Sequence, residues 1–271
     1  MDQDSATIET VVVARPLTAS LYLLGLFVTL VCIYLQYVIP GLNFVSSRLL
    51  VYGIPILVTG LIFGRTIIKK AFSQTLNAVK FGLGYSGAFA VLGVLVGIII
   101  TFLLSVFDPA AVSLLQKQNP VLQGLSPIDA WLMVAVSFLV AGPAEEYLFR
   151  GFVFGGLLSI FKNRHWLSLA FVSSILFAAV HLYYATTYGV ASLVPFADIV
   201  AFGMAMAATY YVTGGNLIVP ALIHGAWDAT AFIGVATSTA IGDQLQELMI
   251  VIGGLVAIAI FVPRKINRNP E

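Results

Sequence analysis

The chain has 271 residues, of which 60% are hydrophobic and 9% charged, and its mean hydropathy is +1.01. A soluble domain carries about a quarter charged residues because its surface must face water; 13 basic and 12 acidic side chains are too few for that. This excludes an ordinary soluble enzyme, a disordered chain and a secreted disulfide scaffold. A net charge of +1 also speaks against a basic nucleic-acid binder, and the single cysteine, Cys32, can form neither an internal disulfide nor a thiolate cluster.

A membrane-spanning helix needs about 20 mostly apolar residues. Runs of that kind fall at 19–39, 48–64, 82–107, 130–160, 166–187, 193–213, 217–236 and 246–262, which predicts an all-α, polytopic bundle of about eight transmembrane helices. The first fifteen residues place Asp2, Asp4 and Glu9 before any basic residue, the wrong order for a cleaved signal peptide. The first run is therefore expected to be a retained helix behind a tail, 1–18.

Lys and Arg favour the cytoplasmic side. With both termini in the cytoplasm, Arg15, Arg65, Lys69, Lys70, Lys80, Lys162, Arg164, Arg264, Lys265 and Arg268 fall inside. Only Arg48 and Lys117 fall outside, and Arg150 lies within a span. The link 108–129, with Pro109, Pro120 and Pro127, is expected outside as a loop or surface helix. The predicted organisation is a tail (1–18), three spans with the exterior link (19–129), a four-helix core (130–236), and a last span with a basic tail (237–271). The pairs Gly93/Gly97 and Gly151/Gly155 have the spacing that lets helices approach closely.

An ionised side chain inside a span costs at least about 2.5 kcal/mol, which makes it a functional candidate. Glu145, Glu146, Arg150, Asp198 and Asp228 lie in spans, joined by His181 and His224; the third histidine, His165, lies beside Arg164 in a basic link. Glu146 and Arg150 are four apart, so they share a helix face and can pair, whereas Glu145 points about 100° away. Pro143 is expected to bend or break the helix beside a watery cavity. Phe177 and His181 share a face, as do His224 and Asp228. A glutamate and two histidines from separate spans form a plausible water-activating set, supplying a base and stabilising developing negative charge.

These residues resemble the CPBP family, the CAAX protease and bacteriocin-processing group that includes the type II CAAX prenyl proteases. Its Glu-Glu-x-x-x-Arg, Phe-x-x-x-His and His-x-x-x-Asn/Asp motifs read here Glu145-Glu146-Tyr147-Leu148-Phe149-Arg150, Phe177-Ala178-Ala179-Val180-His181 and His224-Gly225-Ala226-Trp227-Asp228. Gly214-Gly215-Asn216-Leu217 resembles the approach to the last motif, and the likeness covers about 130–235. It implies an intramembrane endopeptidase opening toward the cytoplasm. Glu145 and His181 would activate water, His224 and Asp228 would help stabilise the oxyanion, and Glu146, Arg150 and Phe177 would support them.

Where the family commonly has Asn, this chain has Asp228, and a carboxylate cannot donate to an oxyanion. Asp228 is then either protonated or an orienting partner of His224. The family is often described as metalloproteases; a zinc ion, if present, would take His181, His224 and Glu145 or Glu146. No His-Glu-x-x-His occurs, and a metal-free glutamate mechanism is the preferred expectation.

The expected partners are the lipid bilayer and a lipidated or membrane-associated peptide or protein substrate, with no nucleic acid; a prokaryotic chain would sit in the plasma membrane. Competing readings are a proton-coupled transporter and a non-proteolytic immunity or scaffold member of the family. A serine nucleophile in Gly84-Tyr85-Ser86-Gly87 is weaker, since it leaves Glu145, Glu146 and Arg150 without a role, and an Asp198/Asp228 dyad lacks the Gly-x-Gly-Asp signature, Gly242-Asp243 being preceded by Ala240-Ile241.

Overall fold

A computed structural model describes residues 19–42 and 44–262. The expected tail 1–18 with Arg15, and the basic residues Arg264, Lys265 and Arg268, lie outside the described residues. Among the described residues there are helices and no strands. The principal helices are α1 (Ala19–Val38), α2 (Phe44–Arg48, the wide turn Leu49–Gly53 and Ile54–Lys70), α3 (Thr75–Phe107), α4 (Pro127–Ile160), α5 (Trp166–Ala179), α6 (Leu193–Val212), α7 (Ile218–Thr237) and α8 (Ile241–Phe261).

Among the described residues seven stretches are long and apolar enough to cross a membrane, one of them running from Tyr184 through α6. The exception is α5, where a span over 166–187 was expected. Its 14 residues rise about 21 Å at 1.5 Å each, short of a hydrocarbon core about 30 Å thick. The chain turns at 180–183, starts the short helix Tyr184–Tyr188, and returns through α6. Because α5 stops early, His181 at its end is held inside the bundle.

Helix starts follow their local chemistry. The Ser126 hydroxyl accepts from the Asp129 backbone N–H ahead of Pro127, capping α4. Gly214 and Gly215 adopt φ of +66° and +104°, after which the Asn216 side chain accepts from Val219 N at 3.0 Å and donates to Ser73 O at 2.6 Å. That turn starts α7 against the end of α2, where Leu217 N and Ile218 N both donate to Ala71 O.

The helices assemble antiparallel, giving the bundle two distinct ends. At one end Trp166 stacks on Tyr211 with ring centroids 4.8 Å apart, and Tyr85 meets Phe261 at 5.0 Å. This end carries Arg65, Lys69, Lys70, Lys80, Lys162 and Arg164, and the described chain both begins and stops here. At the other end the Tyr37 hydroxyl donates to Val180 O at 2.8 Å, and Asn119 donates to the Tyr184 hydroxyl at 3.2 Å. The 108–126 link lies there, partly as the short helix Pro109–Leu114.

Large apolar side chains such as Leu61, Phe102 and Leu255 face outward, as lipid contact requires. Cys32 is a buried packing residue. The paired glycines act in packing: Gly151 faces Ile67, Gly155 faces Tyr210, and Gly93 and Gly97 face α6 at Asp198 and Val194.

Candidate active site

α4 was expected to bend or break at Pro143, but it runs on through the proline. Two wide turns, Ser137–Ala141 and Tyr147–Phe154, flank the ordinary helical turn Gly142–Glu146. Such π-type turns recur at functional sites, and here they absorb the donor that Pro143 lacks. Beside them the backbones of α4 and α7 touch. A Cβ on Gly142 would meet Ala221 O at 2.5 Å, and one on Gly225 would meet Ser137 O at 2.8 Å and Phe138 Cα at 2.9 Å. Only glycines permit this approach, which brings both glutamates to His224. Gly225→Leu is expected to push the helices apart and lower stability by about 1–3 kcal/mol, as overpacking does, read by thermal unfolding of purified protein in detergent; an unchanged midpoint would contradict it.

His224 is the centre of the site and is 3% exposed. Its Nδ1 lies 2.8 Å from Glu146 Oε1, and that oxygen lies 3.0 Å from Arg150 Nη1. On the other side, Nε2 faces Glu145 Oε2 at 3.4 Å and Asp228 Oδ2 at 3.7 Å. A ring carrying both protons satisfies this surround, donating to Glu146 and directing Nε2–H toward Glu145 and Asp228. Glu146 therefore fixes the ring, the orienting role that Asp228 was one candidate for. Asp228 is one-third exposed and faces open space beside Nε2.

Arg150, 1% exposed, is held three ways: by Glu146, by donation to Gly203 O at 3.3 Å, and by stacking over Phe177, its Cζ 4.4 Å from the ring centroid. Phe177 also packs edge-on against His181 and His224, at centroid distances of 5.2 and 5.6 Å. It thus joins the three motifs through one ring. His181 sits across from Glu145, close enough for the two to interact electrostatically. Its Nδ1 lies 3.2 Å from Phe177 O, so that nitrogen carries the proton and Nε2 keeps a lone pair.

Two functional groups went unread in the sequence. The Tyr52 hydroxyl on α2 donates to Glu145 Oε1, and Arg48 donates to the Tyr52 oxygen at 3.1 Å. Arg48 appears in the charge distribution only as an exterior cation, and Tyr52 belongs to no motif. Tyr52 is 93 residues from Glu145, and no local period connects them.

Glu145, His181, Asp228, Arg48 and Tyr52 line a cavity of about 1190 Å³ whose walls are otherwise mostly apolar. Ser86 lines it too, but its hydroxyl is buried without a hydrogen-bond partner, so no base activates it. Asp198 reaches the cavity from α6, seated against Gly93, while Asp228 pairs with His224.

Among the described residues no group of three or more His, Cys, Asp and Glu side chains is placed to hold a metal ion. His224 Nδ1 is bound to Glu146, Glu145 Oε1 to Tyr52 and His181 Nδ1 lies against Phe177 O, whereas a zinc set would converge on one point about 2 Å from each donor. The residues present do not fit a zinc centre, and the metalloprotease expectation finds no support.

The features so far define an integral membrane protein of all-helical, polytopic architecture with a buried glutamate–histidine–arginine centre. Residues 127–230, the stretch carrying all three motifs, match the family model described as type II CAAX prenyl endopeptidase Rce1-like, consistent with the CPBP family. The family so described is one of endopeptidases. No curated protein and no solved structure matches the chain.

Proposed function

We propose that the protein is an intramembrane endopeptidase that uses a water molecule activated by Glu145 and His181 to cut a membrane-associated or lipidated peptide. The observation that carries this reading is Glu145 Oε2, buried without a hydrogen-bond partner and aimed at the cavity 3.4 Å from His224 Nε2. The other oxygen, Oε1, is held by Tyr52, so the carboxylate is fixed with one acceptor left over. A general base needs that disposition.

In this mechanism a water between Glu145 and His181 attacks the carbonyl carbon and gives its proton to Glu145 Oε2. The lone pair on His181 Nε2 accepts the water's second hydrogen as a hydrogen bond, aligning the attack. The oxygen that becomes negative faces His224 Nε2–H, which Glu146 and Arg150 hold in place; a fixed donor at a developing oxyanion is the largest single contribution in many hydrolases. The C–N bond then breaks and the leaving nitrogen takes the proton from Glu145. The cavity's apolar walls take the lipid-like part of the substrate.

The test is incubation of purified protein with membrane-anchored peptides and mass analysis of the products, with Glu145→Gln as the inactive control. New C-terminal ends that appear equally with the variant would sink the reading. Proton-driven uptake in liposomes would favour a carrier, and binding without cleavage a scaffold or immunity role.

Tyr52→Phe removes the hydrogen bond to Glu145 Oε1 and keeps the ring. It is expected to lower kcat by roughly tenfold, the worth of a charge-assisted hydrogen bond of about 1.5 kcal/mol, with KM little changed because Tyr52 positions the base. An unaltered kcat would show that Glu145 needs no such anchor.

A further inference from the structure

The charges that line the cavity do not all belong to the centre at His224. Arg48 is linked to Glu145 through the Tyr52 hydroxyl, and His224, carrying both ring protons, faces Asp228. Glu146 and Arg150 pair behind the ring. Asp198 stands outside this set. It lines the same cavity from α6, and among the described residues no hydrogen bond or ion pair reaches it.

Its place is set by helix packing. Pro195, Asp198, Ile199 and Phe202 all line the cavity, which is the spacing of one helix face. Opposite, Gly93 of α3 leaves room for the carboxylate, since a Cβ there would stand 2.9 Å from Asp198 Oδ1. Asp198 is exposed, and the space it meets is the cavity and a smaller groove beside it along Val94 and Gly97. It also lies midway along the apolar stretch Tyr184–Val212. A carboxylate at that depth without a counter-charge is costly, so the position favours an incoming cation.

The neighbours of the carboxylate select the kind of cation. Phe202 lies one helical turn further along the same face, its ring centroid 6.0 Å from that of Trp227 and 5.0 Å from that of His224. Aromatic rings near a carboxylate suit a cation on an apolar stem, because the stem packs on the rings while the charged head reaches the carboxylate. Lysine and arginine have that form; a hydrated metal ion does not. Phe202 also ties the position to the chemistry. Four residues of helix span about 6 Å, and an extended peptide advances about 3.4 Å per residue. A side chain held at Asp198 therefore belongs to a residue within about three of the bond lying at His224.

We propose that Asp198 is a specificity-determining residue, which receives the basic side chain of a lysine or arginine near the scissile bond of the substrate peptide. The cut itself rests on the endopeptidase reading, whereas the hold on the basic residue is measured apart from it.

Membrane-anchored peptides identical but for one position, scanned along the peptide as Lys or Gln, are given to the purified full-length protein in detergent, and binding and cleavage are both followed. At one or two positions the Lys peptide should bind about tenfold tighter than its Gln counterpart, the worth of a charge-assisted hydrogen bond, and Asp198→Asn should erase that preference. If the parent binds Lys and Gln peptides equally, or binds neither, or if the preference survives in Asp198→Asn, the proposal is overturned. The parent with bound Lys peptide is also treated with a carbodiimide, which joins an amine to a carboxylate in contact with it. An amide bond at Asp198, found by mass analysis, supports the site even where the variant does not fold; coupling at Glu145 or Asp228 alone, or none, overturns it. A Lys preference lost in Asp198→Asn, with no peptide cleaved, would remove the hydrolase reading and leave the cation site standing.

Discussion

Glu145→Gln is expected to abolish detectable peptide cleavage, lowering kcat roughly 100- to 10,000-fold, the range a positioned general base supplies. The substitution is nearly isosteric. Its carbonyl oxygen can still accept from Tyr52. Fold and substrate binding should persist, so the loss falls on kcat and the thermal midpoint stays near the parent's. His181→Ala should lose activity as well, for a different reason: the water keeps its base but loses the acceptor that aligns it. If Glu145→Gln and His181→Ala both cut at the parental rate, the centre at His224 is not a catalytic one.

The second large effect concerns stability. Arg150→Met should cost about 3–5 kcal/mol, because removing one partner of a buried pair leaves the other charge uncompensated. Glu146 is fully buried and Arg150 nearly so, and their oxygen and nitrogen stand 3.0 Å apart. The loss would appear as a lowered thermal midpoint in detergent and a reduced yield of folded protein. Glu146→Gln combined with Arg150→Met should recover most of that stability, since no buried charge is then left unpaired and the glutamine oxygen still accepts from His224 Nδ1. A parental midpoint for Arg150→Met alone would mean that solvent reaches Glu146, contrary to the packing of Phe177 and Phe149 around the pair.

The outcome at Glu146 shows how far a helical period can be read. Spacing of four residues places Glu146 with Arg150, and the pair is found. That the same carboxylate also grips His224, 78 residues away on another helix, follows from two glycines, Gly142 and Gly225, that let α4 and α7 touch. Their role is visible only when the helices are assembled. Pro143 carried a clear local signal, a missing donor, yet α4 is unbroken there and has wide turns on either side of the proline's turn.

Composition alone established that this is a membrane protein, since a chain with so few charges cannot cover itself against water. Hydropathy runs placed its helices, and the cost of charge in lipid singled out Glu145, Glu146, Arg150, His181, His224 and Asp228. These are local properties: each depends on a residue and its neighbours within a turn or a span. The half-length of α5, the anchoring of Glu145 by Tyr52 and Arg48, the grip of Glu146 on His224, and the seating of Asp198 against Gly93 were decided by the tertiary structure. Each is a contact between helices distant in sequence, and such contacts follow from how side chains of particular sizes pack, which no periodicity along a single helix encodes.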